Sequence, residues 1–256
     1  MSYDSEEVNQ LPEILTRYEP LRAELYEYLD PTPGMLWIRH PFCNATIPDI
    51  DRCALIHQTI DERTTMADAC FEAQDWEGYI GCVEIYSQAE WLAKDAHLLP
   101  DDRYWALLRG IHENQRCPWW KWDLYHELFR ADRPGRENLM TPEEQTILAR
   151  LPGTLKVYRG YTDDDDEGYA DGIAWTLHRR TAIWYANRHR EAEYPRLTWG
   201  EVRKQDVWAY TGDGDLLLPP EAVYDRRDKY AWNEKARAAW DEYIRTPFDI
   251  RRLLMK

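Results

Sequence analysis

Residues 152–160 read Pro152-Gly153-Thr154-Leu155-Lys156-Val157-Tyr158-Arg159-Gly160, and the character of the chain changes here. From Leu155 to Gly160 apolar and polar side chains alternate, the two-residue period of a strand. Immediately upstream, Thr141-Pro142-Glu143-Glu144 is a helix-start signature. Thr serves as N-cap, Pro takes the first helical position, and the third carries Glu. That helix is predicted to run to about Leu151, where Pro152-Gly153 stops it.

Further upstream the apolar residues recur at helical spacing. Leu11, Ile14, Leu15, Tyr18, Leu21, Leu25 and Tyr26 predict a helix over 6–29, with a break at Pro20. Pro31-Thr32-Pro33-Gly34 is a turn, and 35–48 has no regular period. Helices are predicted over 49–74 and 75–98, the latter with Ile80, Val83, Ile85, Ala89 and Leu92 on its buried side. Two more follow, over 104–112 and from the Cys117-Pro118-Trp119-Trp120 cluster through Leu128. Downstream of Gly160 the elements are shorter. The acidic run 163–167 reads as a loop, 172–177 as a strand and 179–190 as a helix. Strand material lies in 201–210, and Leu216-Leu217-Leu218 is an apolar strand. A closing helix over 229–244 has Ala231, Trp232, Ala236, Ala239 and Trp240 as its stripe. Helices followed by strands give an α+β class: a mainly helical acidic portion, 1–150, and a portion with a small mixed sheet, 151–256.

Charge separates the same two portions. Residues 1–150 hold 14 basic and 28 acidic side chains, and 151–256 hold 18 and 19. A surface with the acidic balance of the first portion repels phosphate. It suits a basic partner or a mimic of nucleic acid, and it also suits solubility alone. The 13 Trp residues are large apolar groups fit for a core. Five cysteines without a CxxC pair read as reduced thiols. There is no apolar run of membrane-spanning length, and the acidic start, Met1-Ser2-Tyr3-Asp4, lacks the apolar region of a secretory signal. A cytoplasmic location with no membrane partner is expected.

Four features stand in order in the second portion. A strand ends in Tyr158-Arg159-Gly160, and a second carries Ala174-Trp175-Thr176. A helix follows with Ala182, Trp184, Tyr185 and Ala186, and Asp213-Gly214-Asp215 precedes the last apolar strand. This order resembles the ADP-ribosyltransferases of the arginine–serine–glutamate class. It is also similar to phage-type proteins with Tyr-Arg-Gly, Ser-Trp-Thr-Leu and Lys-x-Asp-Val-x-Ala-Tyr, the last present as residues 204–210. The match covers roughly 151–225. The resemblance implies NAD as substrate, ADP-ribose transfer to a protein or nucleic-acid acceptor, release of nicotinamide, and a phage or prophage source.

It also implies roles. Arg159, beside Gly160, would pair with the NAD pyrophosphate, for which a planar guanidinium is suited. Thr176 would hold the nicotinamide ribose, and Trp175, Trp184 or Tyr185 would stack on nicotinamide. Asp215 stands where the family has its catalytic Glu, whose charge stabilises the oxocarbenium-like ribose. Asp213 stands where the family orients the acceptor. Two positions depart from the pattern: Ala174 replaces the first Ser, and Asp-x-Asp replaces Glu-x-Glu. Each Asp is one methylene shorter, and a misplacement near 1 Å costs roughly 100-fold in rate. The departures therefore keep open a second reading, a degenerate member that binds NAD, ADP-ribose or a protein without turnover. The residues also admit plainer roles: Gly212-Asp213-Gly214-Asp215 is an ordinary turn signal, and the tryptophans suit a core.

Overall fold

The computed structural model describes residues 21–32, 35–46, 51–115, 121–162, 171–188, 194–212 and 214–235. The class is α+β, and the chain forms two compact units, Met1–Arg116 and Cys117–Lys256.

In the first unit, a three-stranded antiparallel sheet precedes the helices: β1 (Leu29–Thr32), β2 (Met35–His40) and β3 (Cys43–Thr46), in that order. This corrects the helix expected to run through 29 and the irregular stretch expected after 35. Ala23–Tyr28 is a 3-10 turn, and residues 6–20 lie outside the described residues. Leu36 and Ile38, two apart on β2, face the core with Cys43. Helix α1 (Asp51–Glu72) supplies Cys53, Ile56 and Ile60 to the same cluster, the three- and four-residue steps of one helical face.

The helix expected over 75–98 is divided into α2 (Trp76–Cys82) and α3 (Gln88–Asp95). Val83 and Glu84 are extended between them. Glu84 pairs with Arg63, and its N–H donates to the Pro41 carbonyl at 2.6 Å. Those tertiary bonds replace the helical ones, and Ile85, expected inside, is exposed. Phe71, Trp76, Tyr79, Trp91 and Phe42 form a chain of ring contacts alongside. Helix α4 (Asp101–Gln115) buries Tyr104, Trp105, Leu108 and Ile111. Among the described residues no helix is long and apolar enough to cross a membrane.

The second unit begins with α5 (Trp122–Arg130) and α6 (Pro142–Arg150). The start of the helix expected from Cys117 lies outside the described residues. The predicted capping box forms: the Glu144 N–H donates to the Thr141 hydroxyl at 3.3 Å, and the Thr141 N–H donates to the Glu144 carboxylate at 2.8 Å. The six strands are β4 (Thr154–Thr162), β5 (Ala174–Thr176), β6 (Pro195–Arg203), β7 (Ala209–Tyr210), β8 (Asp215–Leu217) and β9 (Tyr224–Tyr230), ordered β7-β8-β5-β4-β6-β9. Every pairing is antiparallel, which corrects the mixed sheet expected from the sequence. Helix α7 (Arg179–Asn187) links β5 to β6. Those two strands run in the same direction, but β4 lies between them, so the crossover passes over β4 rather than joining parallel neighbours.

The two faces of the sheet are distinct. Leu155, Val157, Trp175, Val202 and Leu216 form a core with Leu148 and Leu151 at the end of α6. On the other face Ala182 and Ala186 of α7 pack with Leu197, Tyr158 and Trp199. The helix expected from 229 begins instead as strand β9, which pairs with β6 through Tyr230. Beyond it, the Asn187 side chain donates to the Ala231 carbonyl at 2.7 Å and accepts from the Asn233 N–H at 3.0 Å. Residues 236–244 of that expected helix lie outside the described residues.

Candidate functional site

The register of three central strands assembles the sequence motifs. Tyr158 of β4 faces Thr176 of β5, and Thr176 faces Asp215 of β8. Side chains directly opposite one another share a face of the sheet, so Tyr158, Thr176 and Asp215 form one lateral row. The row continues across β6 and β9 through Trp199 and Arg227.

Gly160 positions the helix above this row. A Cβ on Gly160 would run into the carbonyl of Ala182 and lie 2.7 Å from the Ala186 nitrogen. The absence of a side chain after Arg159 lets α7 rest on β4. Gly160 is therefore a packing residue, and the structure shows why Tyr-Arg is followed by Gly.

Arg159 starts from the opposite face, that of Val157. The β4–β5 ladder contains only the Tyr158–Thr176 pair. Past that pair the Arg159 Nη1 donates to the Ala174 carbonyl at 2.6 Å. The guanidinium lies over Gly172, where any Cβ would overlap it. Arg159 thus spans β4 and β5 at the end of their ladder, in an exposed hydrogen bond. A ligand that reaches both Arg159 and Asp215 has to pass around that end of the sheet, because the two side chains leave opposite faces.

The turn before β8 is held from several sides. Gly214 has φ +89°, in the left-handed region that favours glycine. Its N–H donates to the Tyr210 hydroxyl at 2.9 Å, and its carbonyl accepts from the Leu177 N–H at 2.8 Å. The Thr176 hydroxyl also donates to that carbonyl, at 3.4 Å, and accepts from the His178 N–H at 3.2 Å. Thr176 is only 3% exposed. The expected ribose-binding hydroxyl is therefore occupied in fixing the β5–β8 turn. The Asp215 backbone closes the turn, accepting from Thr211 and donating to Gly212, both at 2.9 Å. Asp213 lies outside the described residues.

The expected stacking residues differ in access. Trp175 is buried, its Nε1 donating to the Gly172 carbonyl at 3.0 Å, with the Arg226 guanidinium 5.6 Å from its ring centre. Trp184 is also buried and meets Tyr185 edge to face at 4.9 Å. Tyr185 is half-buried, with Arg188 5.4 Å from its ring centre. Of the three, Tyr185 keeps the most open ring.

One neighbour was not legible in the sequence. The imidazole of His178 lies against Gly214, where an added Cβ would be 2.5 Å from its Nε2. His178 is exposed and lies against the residue that precedes Asp215 in the chain. Its only sequence signal is its place two residues after Thr176. No family model matches the chain, and neither a curated protein nor a solved structure does.

Proposed function

We propose that the chain is an NAD-dependent ADP-ribosyltransferase whose reaction centre is Asp215. The observation that carries this reading is the register: three motifs separated by up to fifty-odd residues come to neighbouring strands, with Asp215 opposite Thr176 and Thr176 opposite Tyr158. In the proposed reaction the bond between ribose C1′ and the nicotinamide nitrogen breaks, and its electron pair leaves with nicotinamide. The Asp215 carboxylate stabilises the positive ribose. An acceptor nucleophile then bonds to C1′ and loses its proton, for which His178 is the nearest described imidazole to the Gly214 turn. Arg159 holds the pyrophosphate by exchanging its bond to Ala174 for phosphate oxygens.

A second reading has its own support. Thr176 and Trp175 are buried with their polar atoms engaged, and Ala174 lacks a hydroxyl. These favour a protein that binds NAD or ADP-ribose, or a protein partner, without turnover. Calorimetric titration with NAD, on the wild type and on Arg159→Ala, tests both readings. Heat of binding lost in the variant supports an NAD site, and no heat from the wild type rejects it.

A further inference from the structure

We infer that the face of the sheet beyond α7 is a binding surface for single-stranded nucleic acid. Two half-buried aromatic rings, Tyr158 and Trp199, lie directly opposite each other on β4 and β6, each packed on one side against the α7 cluster and leaving the rest of its surface outward. Four exposed cations share their face by register: Lys156 and Arg203 flank them along the two strands, and Arg227 and Lys229 lie on β9. The Lys156 ammonium is 5.8 Å from the Tyr158 ring centre, and that of Lys229 is 6.0 Å from Trp199. On this face β4 and β6 carry a single carboxylate, Glu201.

Aromatic rings interleaved with cations are what an unpaired nucleic-acid strand requires: bases stack on the rings, and phosphates meet the cations. The concentration of basic charge is local, because the chain as a whole is at −15. An acidic peptide would satisfy the cations but leave the rings without a stacking partner, and a duplex would hide its base faces. The occupant that uses both features is a single strand. In lateral register the row of Trp199 and Tyr158 continues through the buried Thr176 to Asp215. That row spans three strand spacings, about 14 Å. If the transferase reading holds, the strand is also the acceptor; the binding itself does not depend on that reading.

The test uses the full chain without NAD and a short fluorescent oligothymidylate, read by polarisation at low salt. Binding is expected, weakening as salt rises. The double variant Lys156→Glu/Lys229→Glu, changed only at exposed positions and checked for fold by circular dichroism, is expected to lose about tenfold or more in affinity. Trp199→Ala is expected to lose a similar factor by removing a stacking ring. Arg150→Ala, on the helix packed against the other face, should bind like wild type. Failure of the wild type to bind, undiminished binding by the double variant, or equal competition by oligoglutamate or by duplex would each overturn the proposal. Because the assay contains no NAD and reads binding alone, the failure of this proposal is distinguishable from failure of the transferase reading.

Discussion

Gly160 lies against the carbonyl of Ala182, with no room for a side chain between strand β4 and helix α7. The contact is backbone against backbone, so a substitution cannot be absorbed by a rotamer change. Gly160→Ala is expected to destabilise the second unit by about 1–3 kcal/mol, the usual range for an overpacked core. Urea denaturation measures it as a lower midpoint at unchanged slope. An unchanged midpoint would mean that α7 does not rest on β4 as described.

Gly172 and Arg159 make a second pair of this kind. A methyl at Gly172 would displace the guanidinium from the Ala174 carbonyl. Arg159→Ala is expected to weaken NAD binding about tenfold or more, for the loss of a charged hydrogen bond, and Gly172→Ala, which moves the guanidinium but keeps it, by a smaller factor. Titration of both variants checks this. A normal affinity in both would remove Arg159 from the site.

What could be read from the sequence depended on how much each segment buries. Leu155 and Val157 alternate with polar neighbours because one face of β4 is core, and the strand was legible from them. The Thr141–Glu144 box was legible because capping is local chemistry. Strand β9, Tyr224–Tyr230, was not, since every residue is exposed and charged or aromatic. An edge strand of that composition buries nothing and shows no period, and charge there guards against edge pairing. The three-stranded sheet of the first unit was missed for a related reason: strands of four to six residues between Pro and Gly are too short to show a period. Arg159, Thr176 and Asp215 were named from their order in the chain. That Thr176 would be buried as the clamp of the Gly214 turn depends on the β5–β8 register, which no local pattern encodes.

The Tyr161, Asp228 and Arg196 group makes stability depend on alkaline pH. The Tyr161 hydroxyl donates to Asp228 at 2.8 Å, and Arg196 donates to the same oxygen at 2.6 Å. Burial first, then the Asp228 carboxylate, pushes the Tyr161 phenol from 10.0 up to about 12. The folded state therefore holds this proton more tightly than the unfolded chain. Its contribution is complete below pH 10 and is lost as pH rises toward 12. The difference in stability between wild type and Tyr161→Phe should shrink across that window. Denaturation at a series of pH values measures it, and a constant difference would contradict the bond.

In the proposed transferase reaction, Asp215 is the carboxylate beside which NAD is cleaved. The direct measurement is nicotinamide release from NAD by the purified chain, compared with Asp215→Ala and with an oligonucleotide or lysate acceptor present. Release by the wild type is expected, with a loss of about 100-fold or more in Asp215→Ala, the scale of removing one electrostatic stabiliser of a transition state. Release that persists in Asp215→Ala, or none from the wild type under any of these conditions, would contradict it.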